Sequence, residues 1–413
     1  MRASKPTRAQ FVARRLAVVV TLAIVVFSVA ARVPGDRSSG VSGAARPVFP
    51  GVPQPARTNV YEHTSTLSAG VVHDLARVYV PSGISNVVTV IDPVTKKIVG
   101  SFASIGTPQH IVPSYDLRTL WVLNNRDDTV VPIDAHTGQV GNPIPVRDPY
   151  NMYFTPDGSA AIVVEEFHSQ LDFRDPHTMA LEQTLKIPRC HGMNHADYSA
   201  DGSYMLLTCE YSGSIVKVDM KTRTVDGYLN LTSPPGPSRR MMRMPDHSLA
   251  LSMPQDVRLS PDGRRFFVAD MMQGGMYIVD GATLRETGFV ATGVGAHSIT
   301  PSHDGRLLYV ANRGSALLKG APHGQGSVSV VDAATARVIA TWQIPGGGSP
   351  DMGNLTADGR ELWLSGRYDA EVYVFDTTTG QLVARIPVPP GPHGLTVWPQ
   401  PGRYSLGHTG NMR

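Results

Sequence analysis

Six consecutive residues, Cys190-His191-Gly192-Met193-Asn194-His195, form the densest set of metal-capable side chains in the sequence. Sulfur and imidazole donors are soft or borderline ligands, and His191 and His195 lie four residues apart. On a helix that spacing puts both on one face; in a strand they share a side only if the segment is extended. His191 and His195 are therefore a candidate metal pair, set against two hydrated or hydrogen-bonded histidines. A second soft cluster joins Met241-Met242-Arg243-Met244 to Met253, Met271, Met272 and Met276. It reads first as an adaptable apolar flap and second as a copper(I) site. The sequence has no Gly-x-Ser-x-Gly, Walker loop, His-Glu-x-x-His or Cys-x-x-Cys-His, so no catalytic residue is assigned and no cofactor is required. The two cysteines, Cys190 and Cys209, are either a disulfide or two separate thiols, and an oxidising compartment favours the bridge.

The elements that must position these residues show in a repeat. A turn aspartate sits at Asp74, Asp116, Asp157, Asp201, Asp262, Asp304 and Asp358. A second, closing a short apolar run, sits at Asp92, Asp134, Asp175, Asp219, Asp280, Asp332 and Asp376. The two are 18 residues apart in every unit except that of Asp304 and Asp332. Each unit carries four β-branched and aromatic runs separated by Gly, Asp and Asn, as in Gly295–Pro345. A period near ~40–45 residues with four strands is the unit of a propeller blade. The expected fold is all-β: a seven-bladed β-propeller of four-stranded antiparallel blades over residues 60–413. Gly394-Leu395-Thr396-Val397, before Trp398-Pro399-Gln400-Pro401, begins an eighth unit that stops. A closed ring leaves no free edge, so this C-terminal strand is expected to complete blade one; the competing reading gives that role to Leu67–Val72.

The register then says which residues face one another. The first strand of each blade runs from one rim (rim X) to the Asp-Gly turn, and the second returns. At the start of the first strands stand Gln109-His110, Tyr150-Asn151, Asn194-His195, Gln255-Asp256, His297-Ser298, Asp351-Met352 and His393-Gly394. At the end of the second strands stand Gly83, Asn125, Glu166, Glu210, Met271, Arg313 and Arg367. Candidate ligand contacts at this mouth are His110, His195, Asp256, His297, Asp351, His393, Glu166, Glu210, Arg313 and Arg367. Arg313 and Arg367 on adjacent blades suit a carboxylate or phosphate, unless each is tied to an acid such as Asp351 or Asp369. Two insertions, Thr232–Ser252 and Ser315–Gly326, fall on the same rim, which marks it as the working face.

The remaining chain sets the location. Arg2, Lys5, Arg8, Arg14 and Arg15 precede an uncharged run, Leu16–Ala31, the pattern of a signal peptide or signal anchor over residues 1–35. Residues 36–59 are rich in Pro, Gly and Ser and read as a tether. The expectation is a monomeric, extracytoplasmic propeller, secreted or membrane-anchored, that binds a small anionic ligand or a protein partner. A formal net charge of +3 over 413 residues gives no electrostatic case for nucleic acid.

The second strands Leu308-Tyr309-Val310-Ala311-Asn312, Leu120-Trp121-Val122-Leu123-Asn124 and Arg77-Val78-Tyr79-Val80-Pro81, with the turn Ser260-Pro261-Asp262-Gly263, resemble the YVTN-repeat β-propeller family over about Val71–Gly402. More distantly the chain is similar to the haem-binding propeller of cytochrome d1 nitrite reductases. That likeness implies axial His and basic residues at the mouth, positions that His195, His297, Arg313 and Arg367 would occupy, and so a metal- or haem-dependent enzyme or haem-handling protein as the alternative function. The chain departs from that group in having seven units rather than eight and no c-type haem attachment site.

Overall fold

The computed structural model describes residues 59–232, 242–243 and 249–413. The leader, the tether as far as residue 58, and Met241 and Met244 of the methionine-rich run lie outside the described residues. Among the described residues, seven four-stranded antiparallel sheets make up the ring, with one two-residue hairpin in the larger insertion. The innermost strands of blades two to seven are Pro108–Pro113, Pro149–Phe154, Met193–Tyr198, Pro254–Leu259, Ala296–Pro301 and Pro350–Leu355. The outermost, such as Lys97–Ala103 and Arg337–Gln343, are largely exposed. The second strands, such as Arg77–Ser82, Thr119–Asn124 and Leu307–Asn312, are apolar on both faces because each blade is sandwiched between two others. Val78 and Val80 pack toward blade seven, for example, while Tyr79 packs toward blade two.

The aspartate periodicity has a local cause. The first aspartate of a unit accepts a bond from the Ser or Thr two residues earlier: Thr155 to Asp157 at 2.6 Å, Ser199 to Asp201 at 2.7 Å, Ser260 to Asp262 at 2.6 Å. The second caps the turn between the third and fourth strands, as Asp134 does for the Thr137 amide and hydroxyl. Both are side-chain-to-backbone turn devices, and the fixed length of two hairpin strands between them produces the 18-residue interval.

Thr396–Trp398 pairs antiparallel with Arg77–Ser82, Trp398 opposite Arg77 and Thr396 opposite Tyr79. The ring is therefore closed by the C-terminal strand. Leu67–Val72 is not that strand; Leu67 makes only a parallel bridge to Gly402. Asp74, first of the aspartate series, has a different partner from the rest: it accepts the Trp398 indole N–H at 3.0 Å and faces His136 at 2.7 Å. Gly394 is required where the closing strand meets blade two, since a Cβ there would lie 2.2 Å from the His110 ring. Residues 399–413 continue across the turn side of the ring, where Leu406 bonds Phe154, His408 bonds Met152 and Arg413 pairs with Asp197 at 2.9 Å.

Trp398 is 1% exposed and joins the first and last elements of the ring. Trp398→Ala removes its packing and the Asp74 bond, and should cost about 3–5 kcal/mol in chemical denaturation. A loss under about 1 kcal/mol would show that closure does not depend on this residue.

Candidate functional site

The inner strands share one irregularity that decides the site. In blades two to seven the pairing with the second strand slips within the first few residues: at Pro108/His110, Pro149/Asn151, Met193/Ala196, Pro254/Val257, Ala296/Ser298 and Pro350/Gly353. A bulge re-aims side chains, and here it gives each blade two channel-facing residues at different depths. In five blades the first of the pair lies at the mouth: Gln109, Tyr150, Gln255, His297 and His393 line a cavity of about 650 Å³, whereas Asn194 and Asp351 do not. The second lies beneath it: His110, Asn151, His195, Asp256, Ser298 and Met352 are buried, outside that lining.

Of the residues expected at the mouth, Glu166, Glu210, Arg313, Arg367, His297 and His393 do line the cavity, and the exposed His191 does too. His110, His195, Asp256 and Asp351 do not, because the bulge or their own bonds hold them a layer deeper. His191 and His195 lie at different depths, His191 exposed at the cavity and His195 fully buried beneath it. The nitrogens or oxygens that lie within 4.8 Å of one another around His195 belong to Asp256 and to His408. Cys190 and Cys209 form a disulfide, with Cα atoms 4.9 Å apart, so the open alternative resolves to the bridge. It fastens the loop carrying His191 to the end of the second strand, next to Glu210.

Asp351 is the charge centre. Its carboxylate accepts from Arg313 at 2.7 and 2.8 Å and from His393 at 2.6 Å, and His297 Nδ1 lies 2.8 Å from it. Burial alone would push its pKa up, but Arg313 and the two imidazoles outweigh that and hold it well below the carboxylate range. Arg313 is thus committed to Asp351. Arg367, half-buried, has no carboxylate within 4.0 Å among the described residues, so one of the two arginines is left for an anion.

Across the cavity Glu166 is pushed up to about 8, by burial and then by the charge of Glu210. Glu210 is pushed up to about 7 by burial, against bonds from Gln255 at 2.9 Å and Asn194 at 3.3 Å. The Tyr211 hydroxyl donates to Glu166 at 3.0 Å. At neutral pH Glu166 is therefore mostly protonated and Glu210 about half so, and the mouth carries the positive field of Arg367, Arg126 and Lys319. His297 and His393 at the mouth and His110, His195 and His408 beneath it form a closed ring of imidazoles with neighbouring centroids 4.7–6.1 Å apart. Burial holds all five below the usual histidine value, His110 to about 3 and His297 to about 4, so they are neutral.

Sequence reasoning missed Tyr150, Tyr211 and His408. Tyr150 occupies the same register position as His297 and His393, and that position was the available signal. His408 lies past the last repeat, where no register applies.

Residues 247–401 match a family described as YNCE-like beta-propeller. The likeness to YVTN-type propellers holds. No curated protein matches the chain. Three solved structures share the propeller ring at low identity. Kuenenia stuttgartiensis hydrazine synthase is 19% identical, covering 70% of this chain and 88% of its own, with a TM-score of 0.55. A functionally unknown protein from Desulfotomaculum acetoxidans is 15% identical, covering 78% and 99%, at 0.60. Dihydro-haem d1 dehydrogenase NirN in complex with DHE is 15% identical, covering 84% and 83%, at 0.54. At these identities the likeness is one of fold.

Two outcomes test the electrostatics. Arg313→Gln strands the buried Asp351 charge and should cost about 3–5 kcal/mol; a loss below about 1 kcal/mol would mean that Asp351 does not need it. Glu166 has a folded pKa above its ordinary 4.5, so its stabilising contribution is complete below that value and is lost as pH rises through about 8. The melting temperature of Glu166→Gln relative to the parent should therefore climb between pH 5 and pH 9. An equal gap at both pH values would contradict the raised pKa.

Proposed function

We propose that this chain is an extracytoplasmic binding propeller that holds a small organic anion in the rim X cavity, with a carboxylate or phosphate on Arg367. The observation that carries this is the guanidinium of Arg367, with no carboxylate within 4.0 Å among the described residues, in a cavity whose two glutamates are both held above the usual carboxylate range. A cavity of about 650 Å³ lies within the ~300–1,000 Å³ span of small-molecule sites. Arg367 supplies a bidentate anion contact, while the protonated carboxyls and Tyr211 suit a polar or hydroxyl-bearing opposite end. The basic stretch and apolar run before residue 32, together with the Cys190–Cys209 bridge, support placement outside the cytoplasm.

Thermal-shift and calorimetric titration with dicarboxylates, sugar phosphates and a haem tests the site; the haem is included because NirN is named for dihydro-haem d1. At least one such anion should raise the melting temperature. Arg367→Gln should abolish that shift while moving the ligand-free melting temperature by no more than a few degrees. Binding should also weaken above about pH 8, where both glutamates ionise, and Glu166→Gln should blunt that loss. Retained binding in Arg367→Gln would overturn the reading. For location, protease added to intact spheroplasts should digest the propeller, and protection would place it inside.

A further inference from the structure

One contact beneath the cavity has two acceptors and no hydrogen. His110 Nδ1 lies 2.8 Å from the carbonyl oxygen of Tyr150, so Nδ1 carries the proton and donates. Its Nε2 is then a bare lone pair, and it faces the thioether sulfur of Met352 at 3.4 Å, which is an acceptor too. The other tautomer is worse, since it sets an unprotonated Nδ1 against the Tyr150 carbonyl. A doubly protonated His110 would bury a cation, because the nearby carboxylate of Asp351 is already shared by Arg313, His297 and His393. His110 and Met352 are both fully buried.

We propose that a copper(I) ion binds between His110 Nε2 and Met352 Sδ, with His393 Nε2 as third ligand. Metal bonds of about 2.0 Å to nitrogen and about 2.3 Å to sulfur, spanning this contact, meet at roughly 100–105°, an angle that three- and four-coordinate sites both accept. The His393 ring centroid is 4.7 Å from that of His110. Its Nδ1 donates to Asp351 at 2.6 Å, which leaves Nε2 as a lone pair beside the Tyr150 hydroxyl at 3.5 Å. A ring N–H held by a carboxylate or a carbonyl is the outer-shell arrangement of metal-binding histidines. The donor set of two neutral nitrogens and a thioether is soft. Asp351 is already balanced by Arg313, so the site has no spare negative charge and suits a monovalent ion over a divalent one. His393 also lines the mouth cavity, which gives the ion a way in.

The closer-packed group of His195, Asp256 and His408 has the opposite polarity. His195 Nδ1 accepts from the Asn151 amide at 2.9 Å, an amide oriented by its own bond to the Met152 N–H. His408 Nδ1 accepts from the Thr409 N–H at 2.6 Å and faces the Arg258 guanidinium at 3.2 Å. Both rings therefore carry their proton on Nε2, the atom a metal would need.

The test is anaerobic titration of the purified full chain with Cu(I) against a chromophoric Cu(I) chelator, with copper X-ray absorption on the loaded protein. One ion per chain should be retained, with a sulfur scatterer near ~2.3 Å. Met352→Leu, nearly isosteric, should weaken retention roughly tenfold or more and remove the sulfur scatterer, while His408→Gln and Arg367→Gln keep both. Copper retention in Arg367→Gln separates this site from the anion site at the mouth. The proposal is overturned if the chelator strips the parent chain, if Met352→Leu holds copper as tightly as the parent, or if His408→Gln loses it. Should Met352→Leu fail to fold, the sulfur scatterer in the parent decides alone.

Discussion

Closure of the ring by Thr396–Trp398 is the constraint on which the other features rest. A propeller blade buries both faces of its inner strands only while it has a neighbour on each side, and an open ring would expose two such faces and a row of unpaired backbone groups. The strand that closes the ring also brings His393 to the mouth, and its extension brings His408 to the axis from the turn side. Asp74 shows how local chemistry is adapted to closure. At the position where other blades stabilise their own turn, it holds the indole of the closing strand.

Within the closed ring, charge is distributed unevenly and to a purpose. Asp351 gathers one guanidinium and two imidazoles, which fixes the floor of the cavity and neutralises it. The mouth above keeps Arg367 without a counter-charge, while burial raises both Glu166 and Glu210, and the charge of Glu210 raises Glu166 further. An anion entering from solvent thus meets a mouth whose cations, Arg126, Lys319 and Arg367, outnumber its ionised carboxylates. The five buried imidazoles are all neutral for the same reason, loss of solvation, but their hydrogen-bond partners divide them. His110 and His393 present a lone pair at Nε2, whereas His195 and His408 present a proton there. Whether such a ring serves ligand, metal or structure depends on that division more than on the number of histidines.

Most of the architecture was legible in the sequence, since its causes are local. Ser/Thr-x-Asp-Gly turns and Asp-capped hairpins recur at fixed intervals because each is specified by three or four neighbouring residues, and the count of seven units with a truncated eighth follows from them. Register also put the right residue types near the mouth, Glu166, Glu210, His297, His393 and Arg367 among them. Depth was not legible: a bulge of one residue at the start of each inner strand carries His110, His195 and Asp256 below the cavity, and no residue type announces it. Nor was pairing, because Arg313 and Arg367 are equivalent in register, and only the position of Asp351 on the next blade takes one and leaves the other. His408 lay wholly beyond sequence reasoning, since its place at the axis is set by a tail that follows no repeat. Short-range turn chemistry is written residue by residue along the chain, whereas charge balance and depth arise between strands tens to hundreds of residues apart and exist only once the ring has closed.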